Sequence, residues 1–132
     1  MKFALIGCGR ISPNHIVAAK KNNLEIVALC DLIEDNAYDK ALKFNLDDRT
    51  KIYTDYHKMI EFEKPDLVAI ATESGKHAEI ALFCIQHDCN LIIEKPIALS
   101  IEDANMIIEE SAKRHLVVSP CHQNRFNKSI QK

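Results

Sequence analysis

The sequence is poor in glycine and in aromatic residues. Its 132 residues include three glycines, no tryptophan and 6% aromatic residues. Long apolar runs are also lacking, since none approaches the roughly 18 residues that span a bilayer. The apolar run at residues 3–6 is too short for a secretory signal. Neither a membrane protein nor a secreted protein is therefore expected.

An excess of one charge is lacking as well. The 17 Lys and Arg residues face 19 Asp and Glu residues, which gives a net charge of -2. Because there is no basic run, binding to a nucleic-acid backbone is disfavoured. The five cysteines are odd in number and contain no CxxC pair, and no two of the six histidines have metal-ligand spacing on one helix. We therefore expect no disulfide framework, no metal site and a reduced, cytoplasmic protein.

What is present is an alternation of six apolar segments with segments of helical period. The predicted strands lie at residues 3–6, 26–30, 51–53, 67–71, 91–93 and 116–118. Their apolar residues are continuous rather than alternating, so each strand is buried on both faces. The pattern predicts an α/β domain over residues 1–120: a doubly wound parallel sheet of six strands in three α/β/α layers.

Four residues are predicted to cap helices: Ser12, which precedes Pro13, and then Asp35, Asp55 and Ser100. Two helices have apolar residues at the spacing of one buried face. These faces comprise Ala37, Tyr38, Ala41 and Leu42 in one helix and Ala104, Ile107, Ile108 and Ala112 in the other.

Two of the three glycines lie one residue apart, directly after the first strand. In Gly7-Cys8-Gly9-Arg10-Ile11-Ser12 the first glycine permits a tight turn, and the second lets a pyrophosphate approach the backbone. The third position needs only a small residue, here Ser12. The free N–H groups of the following helix would attract the phosphates. An ordinary strand–helix turn is the alternative, but strand, turn, helix and second strand arrive in the order that a dinucleotide site requires.

An acidic residue ends the second strand. Asp31 lies 24 residues after Gly7, where a carboxylate can bind the hydroxyls of the adenosine ribose. The same carboxylate would repel a 2′-phosphate, and Leu32 rather than an arginine follows it. The sequence therefore favours NAD over NADP.

Polar segments also follow the fourth and fifth strands. They are Ala71-Thr72-Glu73-Ser74-Gly75-Lys76-His77 and Glu94-Lys95-Pro96. The carboxyl ends of strands one, four and five flank the ligand crevice of a doubly wound sheet. Lys95 is therefore expected at the nicotinamide end, where an ammonium can stabilise alkoxide charge during hydride transfer. The alternative is a solvated loop lysine that pairs with Glu94.

Together these motifs resemble the GFO/IDH/MocA family of glucose–fructose oxidoreductase and inositol 2-dehydrogenase. The resemblance covers the whole chain up to the sixth strand, and Glu94-Lys95-Pro96 is its most distinctive motif. It implies a Rossmann-type fold and an oxidoreductase that transfers hydride between NAD and a sugar, cyclitol or nucleotide-sugar. The residues that it implies for cofactor binding are Gly7, Gly9, Arg10, Ile11, Asp31, Ala71, Thr72, His77, Glu94 and Lys95, with Lys95 also catalytic.

The resemblance implies a second domain beyond this chain. Family enzymes carry there the acid/base residue, most of the substrate pocket and an oligomer interface, so the intact enzyme is expected to be a homo-oligomer. Residues 121–132 would begin the crossing to that domain. Their Asn-Arg-Phe-Asn run is similar to that of nucleotide-sugar 3-dehydrogenases, and Arg125 would suit an anionic substrate. A plain linker is the equal alternative. Glu73 departs from the family, which usually has proline there.

Two further interpretations stay open. His15 matches a family histidine, but a partly buried helix residue is the preferred interpretation. His77 is either close to the cofactor or an exposed residue at a helix start, whereas His57 and His115 are expected at the surface. As a whole, the chain could instead be a standalone NAD(H)-responsive binding module, although such a module has no use for Lys95 at the reacting end.

Overall fold

The computed structural model describes residues 1–121, which form six strands and five α-helices. In chain order these are β1 (Lys2–Ile6), α1 (Ser12–Lys21), β2 (Glu25–Cys30), α2 (Glu34–Lys43), β3 (Lys51–Tyr53), α3 (Tyr56–Glu63), β4 (Leu67–Ile70), α4 (His77–Gln86), β5 (Asn90–Glu94), α5 (Ile101–Lys113) and β6 (Val118–Cys121). A short 3-10 turn at Ser74–Lys76 precedes α4.

All six strands pair in parallel, in the order β3-β2-β1-β4-β5-β6. The chain starts at the centre of the sheet, builds outward to β3 and then returns to add β4 on the other side of β1. The order therefore reverses between β1 and β4, and ligands of such sheets bind in the crevice at that point. This arrangement confirms the predicted doubly wound sheet.

Each face of the sheet has its own apolar cluster. One cluster lies beneath α1 and α2 and includes Phe3, Leu5, Ile16 and Leu29. The other lies beneath α3, α4 and α5 and is centred on residues such as Met59, Ile70, Ile85, Leu91 and Ile93. The two clusters bury β1 and β4 on both faces, as their continuous apolar sequences predict.

Two of the four predicted helix caps are confirmed. The Asp55 side chain accepts a hydrogen bond from the His57 N–H, and the Ser100 hydroxyl accepts one from the Asp103 N–H. The other two are wrong, because Ser12 and Asp35 already lie inside their helices. The Ser12 hydroxyl donates instead to the Gly9 carbonyl oxygen, at 2.7 Å.

The sixth strand begins two residues later than predicted. The Leu116 N–H donates to the Ser111 carbonyl oxygen at the end of α5, so Leu116 belongs to the turn after the helix. Pairing with β5 then runs from Val118 to Cys121.

The predicted inner faces of α2 and α5 are partly wrong. In α2 only Ala37 is fully buried, while Tyr38 and Leu42 are exposed, Leu42 at 78%. In α5 the buried residues are Ile107 and Ser111, and both Ile108 and Ala112 are exposed. Both helices meet their neighbours along a narrow line, so apolar spacing alone predicts too wide a face.

Three other features of residues 1–121 concern helix length, the cysteines and two of the histidines. Their longest helix has 13 residues, fewer than the roughly 20 that a membrane-spanning helix needs. All five cysteines are free, and those at positions 8, 30, 84 and 89 are buried. His57 and His115 lie at the surface, as predicted.

Ile107 and Ile108 provide a matched test of how α5 packs. Ile107 is 0% exposed and Ile108 is 58% exposed. We expect Ile107→Ala to lower the free energy of unfolding by about 3 kcal/mol, since it leaves a cavity in the core. Ile108→Ala should change it by less than about 0.5 kcal/mol. Urea denaturation measures both, and equal losses would contradict this orientation of α5.

Candidate functional site

The turn from β1 to α1 is held against the strands on either side of it. The Gly7 N–H donates to the Cys30 carbonyl oxygen at 2.8 Å, and Gly7 has a φ of +99°. A Cβ at Gly7 would lie 2.6 Å from the Ala71 carbonyl oxygen, a distance at which the backbone would have to move. Gly9 differs, because a Cβ there would meet nothing within 4 Å. The first glycine therefore serves the turn itself, and the second leaves open space beside the backbone.

The start of α1 is suited to an anion. Within residues 1–121, the N–H groups of Arg10 and Ile11 donate no hydrogen bond, and no acidic residue lies in the first turn of the helix. The small, buried Ser12 lets α1 lie close to the sheet. Free N–H groups and the positive end of a helix dipole together attract phosphate. This geometry fits the pyrophosphate of a dinucleotide.

Asp31 lies beside this turn, at the end of β2. Its carboxylate accepts hydrogen bonds from the Cys8 N–H at 2.8 Å and from the Ile33 N–H at 2.9 Å, through different oxygens. A carboxylate has about four acceptor positions, so positions remain for ribose hydroxyls. Leu32 is 87% exposed at the same corner. The corner therefore combines a fixed carboxylate with an exposed apolar side chain.

The thiols beside Asp31 are not reactive groups. Burial, followed by the charge of Asp31, raises the pKa of both Cys8 and Cys30 to about 12. Both residues thus remain neutral thiols near pH 7 and act as small packing residues.

The loop after β4 forms the other wall of the crevice. The Ala71 N–H donates to the Ile6 carbonyl oxygen at 2.8 Å, which brings this loop alongside the glycine turn. Ala71 and Thr72 are half-buried and Glu73 is exposed. The exposure of Glu73 shows that the position where the family usually has proline points away from the core.

His77 joins the loops that follow β4 and β5. It is 1% exposed, so its interpretation as an exposed residue at the helix start is wrong. Its Nδ1 lies 2.7 Å from the Pro96 carbonyl oxygen and its Nε2 lies 2.9 Å from the Thr72 carbonyl oxygen. Because both polar atoms face the protein, His77 shapes the crevice through the two loops that it connects.

Glu94 and Lys95 end β5 at the same edge of the sheet, but they do not pair. Glu94 is half-buried, and its Oε1 lies 2.6 Å from Nε2 of the buried His15. Lys95 is exposed, and its ammonium has no hydrogen-bond or ion-pair partner within residues 1–121. The alternative interpretation, in which Lys95 pairs with Glu94, is therefore wrong.

Sequence reasoning missed the pairing of His15 with Glu94 and the approach of Cys121 to both. One atom of each of these side chains lies within 4.8 Å of the others. The residues come from α1, β5 and β6, and 79 residues separate His15 from Glu94. No local spacing could have shown the cluster. Arg125 lies outside the described residues.

Sheet order, glycine turn, free N–H groups and the fixed carboxylate together define a class of protein. They are the parts of a dinucleotide-binding domain of the doubly wound type. The known sequences and structures to which the chain is similar give the family.

The model of the GFO/IDH/MocA family, described as an oxidoreductase family with an NAD-binding Rossmann fold, matches residues 1–122. The chain therefore belongs to this family and is its NAD-binding domain. It is 27% identical to myo-inositol 2-dehydrogenase of Thermotoga maritima over all of this chain and 39% of that protein. It is 33% identical to D-apiose dehydrogenase of Paraburkholderia graminis, over 98% of this chain and 34% of that protein.

A solved structure shows the same likeness. The WlbA dehydrogenase of Bordetella pertussis, in complex with NADH and UDP-GlcNAcA, has a TM-score of 0.87 and 27% identity. The match covers 99% of this chain and 40% of that one. The family and the NAD cofactor predicted from the motifs are thus confirmed. The chain spans between about a third and two fifths of the length of the relatives that it matches.

The two turn glycines should respond differently to the same substitution. Gly7→Ala should lower the free energy of unfolding by more than about 2 kcal/mol, because it adds backbone strain and a close contact with Ala71. Gly9→Ala should change it by less than about 1 kcal/mol, since its Cβ enters open space. Urea denaturation of the two variants checks this. A tolerated alanine at position 7 would contradict the geometry of the turn.

Proposed function

We propose that this chain is the NAD(H)-binding domain of an enzyme that transfers hydride between nicotinamide and a carbinol or carbonyl carbon of a sugar, cyclitol or nucleotide-sugar. The observation that carries this proposal is Lys95. Lys95 follows the carboxyl end of β5, on the edge of the sheet that also holds the glycine turn, and its ammonium has no partner among residues 1–121. A module that only binds nucleotide has no need of an ammonium there.

In this proposal, successive groups of residues along the crevice bind successive parts of NAD, from the adenosine to the nicotinamide. Asp31 would accept hydrogen bonds from the adenosine ribose, and Leu32 would offer an apolar surface to the adjacent base. The N–H groups of Arg10 and Ile11 would bind the pyrophosphate, with Gly9 giving it room. Ala71 and Thr72 would line the path toward Glu94, which would accept a hydrogen bond from the nicotinamide ribose.

When NAD is bound, it supplies the hydride acceptor. Lys95 would donate a hydrogen bond to the substrate oxygen and stabilise the negative charge that develops on it. None of the described residues is assigned as the base that accepts the hydroxyl proton. We place that residue, and most of the substrate pocket, in a second domain for which residues 121–132 begin the crossing segment.

Three parts of the proposal concern the intact enzyme. Arg125, which lies outside the described residues, would bind an anionic substrate such as a nucleotide-sugar acid. A homo-oligomer in the cytoplasm is proposed, with no nucleic acid or membrane as a partner. The names of the relatives, which include a myo-inositol and a D-apiose dehydrogenase, support the substrate class.

The cofactor site is tested by isothermal titration calorimetry with millimolar NADH and the folded chain. We expect weak, saturable binding that Gly9→Ala reduces by at least about tenfold, because a methyl group blocks the approach of the pyrophosphate. Lys113→Ala, at an exposed residue in the last turn of α5 and outside the crevice, is the control and should bind as the parent does. Absence of NADH binding to the folded protein would contradict the proposal. Asp31 is a poorer probe, because its removal also leaves the Cys8 N–H without an acceptor.

Lys95 is tested in the full-length product of the gene. The assay follows reduction of NAD with myo-inositol, D-apiose and UDP-GlcNAcA as candidate substrates. With whichever substrate turns over, Lys95→Ala should lower the rate of hydride transfer by about 100-fold or more. The affinity for NADH should stay within about threefold, and the surface variant Lys113→Ala should change neither. Equal losses in rate and NADH affinity would make Lys95 a cofactor ligand instead.

A further inference from the structure

Three potential metal ligands meet at the edge of the sheet beneath α1. His15 projects from α1 and is buried, while Glu94 and Cys121 end β5 and β6 and are half-buried. Glu94 and Cys121 are register partners in the parallel pairing of β5 with β6. One ligand atom of each side chain lies within 4.8 Å of the other two. The sheet thus holds two of the ligands side by side, and the helix brings the third.

The donor atoms suit one class of cation. They are an imidazole nitrogen, a carboxylate oxygen and a thiol sulfur, a set that favours zinc-type ions over magnesium or calcium. Metal–ligand bonds of about 2.0–2.3 Å in a tetrahedron put ligand atoms roughly 3.2–3.7 Å apart. The present 2.6 Å between His15 Nε2 and Glu94 Oε1 is a hydrogen bond, so this pair must open by somewhat less than about 1 Å to admit an ion.

Charge also favours a divalent ion in this place. When a metal displaces the thiol proton of Cys121, the resulting thiolate and the Glu94 carboxylate together carry two negative charges, which a divalent cation neutralises, while His15 binds as a neutral imidazole. Lys95 is the nearby positive group, but it is exposed and its side chain can extend into solvent.

We propose that His15, Glu94 and Cys121 form a binding site for a zinc-type divalent metal, with a fourth position open to water. Binding replaces the hydrogen bond between His15 and Glu94 by two metal–ligand bonds and releases the thiol proton of Cys121. It also takes one oxygen of the Glu94 carboxylate as a ligand and neutralises the carboxylate's charge, which weakens it as a hydrogen-bond acceptor for a ribose hydroxyl. On the assumption of the proposed function, in which Glu94 contacts the nicotinamide ribose, the metal and NADH therefore compete.

The site is tested on the cofactor-free chain with Co²⁺ as a spectroscopic substitute for Zn²⁺. We expect one equivalent of Co²⁺ to produce thiolate-to-cobalt charge-transfer absorption and tetrahedral d–d bands, and one equivalent of Zn²⁺ to abolish both. Cys121→Ser should remove the charge-transfer absorption. His15→Ala should weaken Zn²⁺ binding by more than about 100-fold, since even the loss of a group behind a ligand costs roughly 10- to 100-fold. His87→Ala, which removes an exposed histidine of α4's C-terminal turn, is the control and should bind Zn²⁺ as the parent does.

Circular dichroism confirms that each variant is folded before it is titrated. Folded parent protein that shows no thiolate-to-cobalt absorption, or Cys121→Ser that retains it, would overturn the site. The competition is measured separately, by titrating NADH with and without saturating Zn²⁺, and we expect the NADH affinity to fall at least tenfold. Failure of the chain to bind NADH at all contradicts the proposed function and leaves the cobalt result to decide the metal site.

Discussion

The close approach of the β1–α1 turn to the backbone of Ala71 is the constraint on which the site depends. Gly7 allows this approach because it has no side chain. Its N–H also continues the hydrogen bonding of β1 with β2. The Ala71 N–H does the same between β4 and β1. The turn is thereby held from both sides at the point where the strand order reverses. The direction of α1 follows from this, and with it the position of His15, one turn into the helix.

Asp31 shows how one residue can serve both the fold and the ligand. Its two hydrogen bonds to backbone N–H groups hold the carboxylate beside the glycine turn before any cofactor arrives. Little orienting entropy is then lost when a ribose hydroxyl binds. A carboxylate held in this way also cannot turn away from a 2′-phosphate, so like-charge repulsion would oppose NADP at full strength. In the proposed function, a preference for NAD would therefore depend on the fixed position of Asp31 as well as on its charge.

The sequence predicts those features that local pattern determines. Continuous apolar strands indicated the sheet, and the positions of Gly7, Gly9 and Asp31 after the first two strands indicated that these residues lie together at one edge of it. Prediction was poorer where packing decides which side chains are buried, as at Leu42 and Ile108. Apolar spacing alone does not show how wide a helix's contact with its neighbours is. The sequence pattern could not predict the contact of His15 with Glu94, because that contact depends on where α1 lies across the sheet.

In the proposed function, that contact also affects the charge near the substrate oxygen, because it decides which partner the Glu94 carboxylate has. If Glu94 paired with Lys95, the two opposite charges would largely cancel, and little field would remain for a developing alkoxide. The structure instead directs Glu94 toward α1, where His15 engages its carboxylate. Lys95 follows Glu94 directly but extends to the exposed side of the loop. Of these two adjacent residues of opposite charge, Glu94 thus pairs with His15, which lies 79 residues earlier in the sequence, and not with Lys95. Within residues 1–121 the Lys95 ammonium has no ion-pair partner, because a helix that is oriented by Gly7 supplies the partner for the neighbouring carboxylate.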